Sequence, residues 1–116
     1  MNEADQPVAA AKAELFKALS HPARVQVLEA LAADGEFSVG ELADRVGMEL
    51  SHLSQQLAVL RRAGAVSNRR VGSVVFYRLR DPRLTQLLFL AREVLLTSWQ
   101  EKQVVLQRMD GSPESH

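Results

Sequence analysis

Ser51, His52, Ser54, Gln55 and Gln56 bring hydroxyls, an imidazole and two amides together over six residues, and Arg61, Arg62, Arg69 and Arg70 follow closely behind them. Short polar side chains of this kind suit the edges of bases. Glutamine pairs bidentately with adenine, while serine and histidine are less selective. Guanidinium forks match phosphate oxygens, which fix a protein's register on a duplex without reading its sequence. Catalysis fits the same residues poorly. Ser51 and His52 are adjacent, so on a helix they diverge and cannot act as nucleophile and base. The chain has no glycine-rich phosphate loop and no paired-carboxylate motif. It has no cysteine either, which excludes a disulfide scaffold, a thiolate metal site, a redox CxxC and a cysteine nucleophile. The expectation is a protein that is not an enzyme.

The formal net charge is zero, from 14 basic and 14 acidic residues, and as a single number this argues against a polyanionic partner. The distribution argues the reverse. Residues 1–50 hold four bases and nine acids, residues 51–80 hold six arginines and no acid, and residues 81–116 hold four bases and five acids. The acid-free block is the one that carries the polar cluster.

With 116 residues, 47% of them apolar and 24% charged, the chain suits one soluble domain with a packed core. Its longest apolar run is the five residues from Leu87 to Ala91, far short of the roughly 20 needed to span a membrane. The first ten residues hold two acids and no base, unlike a secretory signal, so a cytoplasmic location and no membrane partner are expected.

Helical spacing of Ala11, Leu15, Ala18 and Leu19 predicts a first helix over about 8–19. Ser20-His21-Pro22 ends it and opens a second, with Ser20 or His21 at the cap and proline at the first position, where a missing N–H costs nothing. Val25, Val27, Leu28 and Leu31 form its apolar face, and Asp34-Gly35 stops it. Ser38 and Glu41 have capping-box spacing, which predicts a third helix over about 39–46. Gly47 turns the chain into a fourth helix over about 51–63, with Leu53, Leu57 and Leu60 buried and the polar cluster outside. That is a helix-turn-helix pattern. After Gly64 the period falls to two in Val66–Arg70 and Val74–Leu79, a β-hairpin with arginines at its tip and Val71-Gly72-Ser73 between the strands. Asp81-Pro82 caps a last helix bearing Leu84, Leu87, Leu88, Ala91, Val94, Leu95 and Trp99, a stripe for the core or a dimer interface. We expect a mainly α (α+β) winged helix-turn-helix fold of about five helices and a two-stranded wing.

The stretches LFKALSHPARVQVLEAL (15–31), ELADRVGMELSHLSQQLAVLRRAGAV (41–66) and NRRVGSVVFYRLRD (68–81) resemble, in that order, the ArsR/SmtB family of bacterial transcriptional repressors. The resemblance implies a homodimer that binds a double-stranded DNA operator, with a ligand commonly relieving repression. It also implies dimerisation helices at both ends of the domain, which we expect to be a single one over 8–109, between a flexible N-terminus at 1–7 and a tail, DGSPESH, expected to be disordered at 110–116. Candidate DNA contacts are Ser51, His52, Ser54, Gln55, Gln56, Arg61, Arg62, Arg69, Arg70 and Ser73. Phe76 and Tyr77 are expected to pack the wing rather than touch bases.

Many members of that family sense metals, and this chain departs from both familiar sites. One places a Cys-x-Cys pair at the start of the third helix, where Ser38 and Gly40 stand here. The other runs Asp, His two residues on, His eleven further, then Glu after three; the matching residues are Asp81, Arg83, Val94 and Thr97. A nitrogen-and-oxygen site for nickel, cobalt or zinc stays open, with His21, His116, Glu3, Asp5 and Glu14 as candidate ligands, although His21 suits a cap better. The competing readings are a metal-independent regulator and a winged-helix protein-interaction module. The second is disfavoured by 5% aromatic content and the arginine block.

Overall fold

The computed structural model describes residues 6–109. Along the chain run α1 (Gln6–Leu19), α2 (Pro22–Asp34), β1 (Glu36–Ser38), α3 (Val39–Val46), α4 (Leu50–Arg62), β2 (Val66–Val71), β3 (Val74–Leu79) and α5 (Leu84–Met109). Each helix lies within about two residues of its expected place. The expected tail, the first five residues, and with them Glu3, Asp5 and His116, lie outside the described residues.

Local chemistry sets the boundaries. His21 sits in extended backbone before Pro22 and its Nδ1 accepts from the Ala23 N–H, capping α2. At α3 both halves of the capping box are made: Ser38 Oγ accepts from the Glu41 N–H at 3.2 Å, and Glu41 Oε1 accepts from the Ser38 N–H at 2.9 Å. These bonds hold the Glu41 carboxyl below its usual range. Gly47 adopts left-handed backbone (φ 68°), and the Met48 N–H closes onto the Ala43 carbonyl, so α3 stops and α4 starts after a short turn. Gly64 (φ 80°) ends α4 the same way, with N–H bonds from Gly64 to Arg61 and from Ala65 to Leu60. A side chain at either glycine would strain that backbone.

The unit ending at Leu84 contains one apolar core. Val27, Leu28, Ala30 and Leu31 of α2, Leu42 of α3, and Leu53, Leu57 and Leu60 of α4 are buried, joined by Ala18, Ala65 and Val66. No buried polar or charged residue occurs among those described.

The sheet departs from expectation. It has three strands in the order β1-β3-β2, all antiparallel, rather than two. The extra strand is Glu36-Phe37-Ser38, which pairs with Arg78, Tyr77 and Phe76. Three residues are too few to show a period of two, so pairing with a segment about forty residues on is what makes them a strand. The two long strands meet at Gly72-Ser73, and Val71 pairs with Val74 instead of lying in the loop.

The second unit begins at Thr85 and contains nearly all of α5. At 26 residues this helix is about 39 Å long. Leu87 and Leu88 are half-buried, while Phe89, Leu90, Val94, Leu95, Trp99, Val104 and Leu106 are exposed. Among the described residues, no helix is long and apolar enough to cross a membrane.

Candidate nucleic-acid interface

Leu53, Leu57 and Leu60 point into the core, so their spacing turns the other faces of α4 outward. Ser51, His52, Ser54 and Gln55 are exposed in its first two turns, and none donates to or accepts from another described side chain. Their donors and acceptors face solvent. Gln56 behaves differently. It is half-buried, and its Oε1 accepts from Arg24 Nη1 at 3.2 Å. Arg24 also donates to the carbonyls of Lys17 and Ala18 at the end of α1, where a cation complements the helix dipole. Gln56 is therefore part of a brace between α1, α2 and α4, which leaves four of the five polar candidates on this helix without a side-chain partner.

Arg61 and Arg62 are exposed on the last turn of α4. Arg62 stands about 16 Å along the helix from Ser51, so these arginines lie at the opposite end of α4 from the polar cluster. Arg62 also borders a cleft of about 320 Å³ with Glu14, Lys17 and Arg24.

The wing separates Arg69 from Arg70, because successive residues of a strand face opposite ways. Arg70, opposite Val75, is exposed and has no partner among the described residues. Arg69, opposite Phe76, makes a two-pronged ion pair with Glu36 of β1: Nη2 to Oε1 at 2.7 Å and Nε to Oε2 at 2.9 Å. Its guanidinium also lies over the Phe76 ring, 5.0 Å from the centroid. The Arg69 hydrogen bonds hold the Glu36 carboxyl below its usual range, and the charge of Arg78 adds to this. Arg78 itself faces Glu36 across β1 and β3, and its Nε donates to Ser67 Oγ at 3.5 Å. Tyr77 accepts from Asn68 Nδ2 at 3.3 Å, which ties the two long strands together. Ser73 is exposed at the tip.

Glu36 was not among the residues expected here. Its one signal was the two-residue gap between the stop at Gly35 and the capping serine at 38, filled by an acid and an apolar residue. Asp81, just past β3, accepts from both the backbone and the guanidinium of Arg83, and this lowers its carboxyl to about 2.

Of the candidate metal ligands, two lie among the described residues. His21 has Nδ1 committed to its cap, and Glu14 shares its cleft with Lys17, Arg24 and Arg62, which would repel a cation. No group of three or more His, Asp or Glu side chains suited to a metal occurs among the described residues.

Residues 19–68 match a helix-turn-helix domain family. The chain is 47% identical over 110 residues to the uncharacterised HTH-type transcriptional regulator Rv0081 of Mycobacterium tuberculosis, covering 92% of this chain and 96% of that protein. The crystal structure of Rv0081 superposes with a TM-score of 0.75 over 84% of this chain and 97% of that one. The biofilm growth-associated repressor of Xylella fastidiosa is 45% identical over 91 residues, 78% of this chain and 77% of that protein. A homodimeric winged helix-turn-helix DNA-binding domain from Mycobacterium bovis, solved by NMR, is 30% identical with a TM-score of 0.73, over 82% of this chain and 87% of that domain.

Proposed function

The chain belongs to the ArsR/SmtB family of winged helix-turn-helix transcriptional regulators, and from that premise we propose that it is a homodimeric repressor of a palindromic operator. It is a regulator and not an enzyme, as its relatives are. One observation carries the operator reading: Ser51, His52, Ser54 and Gln55 stand exposed and unpartnered at the start of a helix whose opposite face is locked in the core. Side chains so placed reach base edges when that helix enters a major groove. Arg61, Arg62 and Arg70 supply cations for flanking phosphates.

The dimer is proposed to close through α5, where exposed Leu95, Trp99 and Leu106 recur at helical spacing as an apolar stripe along one side. A second copy of the same helix would cover it, as befits a homodimer in the cytoplasm on duplex DNA.

Selection of binding sites from a random duplex pool tests the reading. The expected product is an imperfect palindrome with half-sites about 34–36 Å apart, bound with an affinity that falls steeply as salt rises. A pool with no enriched sequence would sink the operator reading and favour a protein-interaction module. Repeating the titration with nickel, cobalt and zinc tests the metal response. A change in operator affinity worth about 1–3 kcal/mol would make the metal an allosteric effector, whereas no change would leave a metal-independent regulator.

A further inference from the structure

Charge on the wing is not what the arginine block implies. Across β1, β2 and β3 the cations are Arg69, Arg70 and Arg78, and the one carboxylate is Glu36, supplied by the strand nearest the N-terminus. Resting on the reading of the chain as a DNA-binding protein, we propose that Glu36 is an affinity-setting residue. It serves as an internal substitute for a DNA phosphate and keeps the charge of Arg69 compensated until a duplex displaces it.

The geometry supports this in three ways. Both oxygens of Glu36 engage the Arg69 fork, at 2.7 and 2.9 Å, the paired arrangement a phosphate would use. The pair lies at the surface, with 54% of the Arg69 side chain and 30% of the Glu36 side chain exposed. Ion pairs exposed to solvent contribute little to stability, so a phosphate can exchange with the carboxylate without unfolding the wing. The Phe76 ring lies 5.0 Å from the Arg69 guanidinium, a cation–π contact that does not involve the carboxylate. Arg70, one residue on and without a partner, has no such compensation.

Exchange at Arg69 therefore swaps one anion for another and adds little to counterion release, whereas each free cation set on a phosphate contributes about 0.9 to the salt slope. The test follows operator affinity against salt for wild type, Glu36→Gln, and the double variant Glu36→Gln with Arg69→Gln, with melting temperatures showing that each is folded. Glu36→Gln is expected to bind more tightly at low salt and to steepen the slope by about 0.9, roughly eightfold in affinity per tenfold change in salt. The double variant is expected to return to the wild-type slope. Weaker or unchanged binding by Glu36→Gln overturns the inference, since Glu36 would then be aiming Arg69 at the duplex or Arg69 would lie off it. A double variant that keeps the gain also overturns it, because the effect would then belong to the charge of Glu36 alone. In both cases wild type still binds its operator, whereas a wild type that binds no duplex would fail the functional reading itself.

Discussion

Helix α4 and the wing carry the two halves of the candidate interface, and the fold holds them in opposite ways. Three fully buried leucines pin the backbone of α4, and four of the polar side chains on its outer side are left free. In the wing only Val66 at the base is buried, Val71 and Val74 near the tip are exposed, and one of its leading arginines is tied to a carboxylate from another strand. A reading element needs a rigid backbone and uncommitted side chains, because base edges demand fixed geometry. A phosphate-binding element tolerates a looser backbone, and its strength is set by how much of its charge is already spent inside the protein.

Core truncation should show the contrast most strongly. Leu57→Ala is expected to cost about 2–5 kcal/mol of stability, while Val71→Ala at the wing tip should stay within about 0.5 kcal/mol. Denaturant unfolding measures both, and equal losses would mean that the wing is as firmly anchored as the helix.

Two adjacent glutamines sharpen the comparison within α4. Gln55→Ala should lower discrimination between operator and random duplex by about 1–3 kcal/mol and leave the salt slope unchanged. Gln56→Ala should leave discrimination intact and reduce stability by about 1 kcal/mol through loss of the Arg24 bond. Reversed outcomes would place the reading face one residue further round the helix. On the wing, Arg70→Ala should weaken binding to all duplexes alike and flatten the salt slope by about 0.9; a loss confined to the operator would make Arg70 a base reader.

The smallest expected effect concerns Asp81, where the wing ends. Its carboxyl lies lower in the folded chain, about 2, than its ordinary 3.8, so its contribution is present above the ordinary value and is lost as pH falls toward about 2. The difference in melting temperature between wild type and Asp81→Asn should therefore be small at pH 5 and close over that acid range. A difference that does not narrow would show that the Arg83 pairing plays no part in it.

Much of this was legible in advance because its causes are local. The cap at His21, the box formed by Ser38 and Glu41, the turns at Gly47 and Gly64, and the leucine spacing in α4 each act within a few residues, so the helices and the exposed polar cluster could be placed from the residues alone. The bond made by Gln56 was not legible, for the opposite reason. Its polarity suited a base, but its partner Arg24 is 32 residues away in the chain.

Residue order alone determined the helix-turn-helix, the hairpin after it and the family, since periodicity, capping and turn chemistry are written in short stretches. Tertiary structure alone decided which of the arginines and glutamines are free. Phe37 and its neighbours become a strand only when β3 lies alongside, and that pairing sets Glu36 beside Arg69, 33 positions later. A carboxylate thus enters the wing of a block that contains none, because an ion pair depends on distance in space and not on distance along the chain.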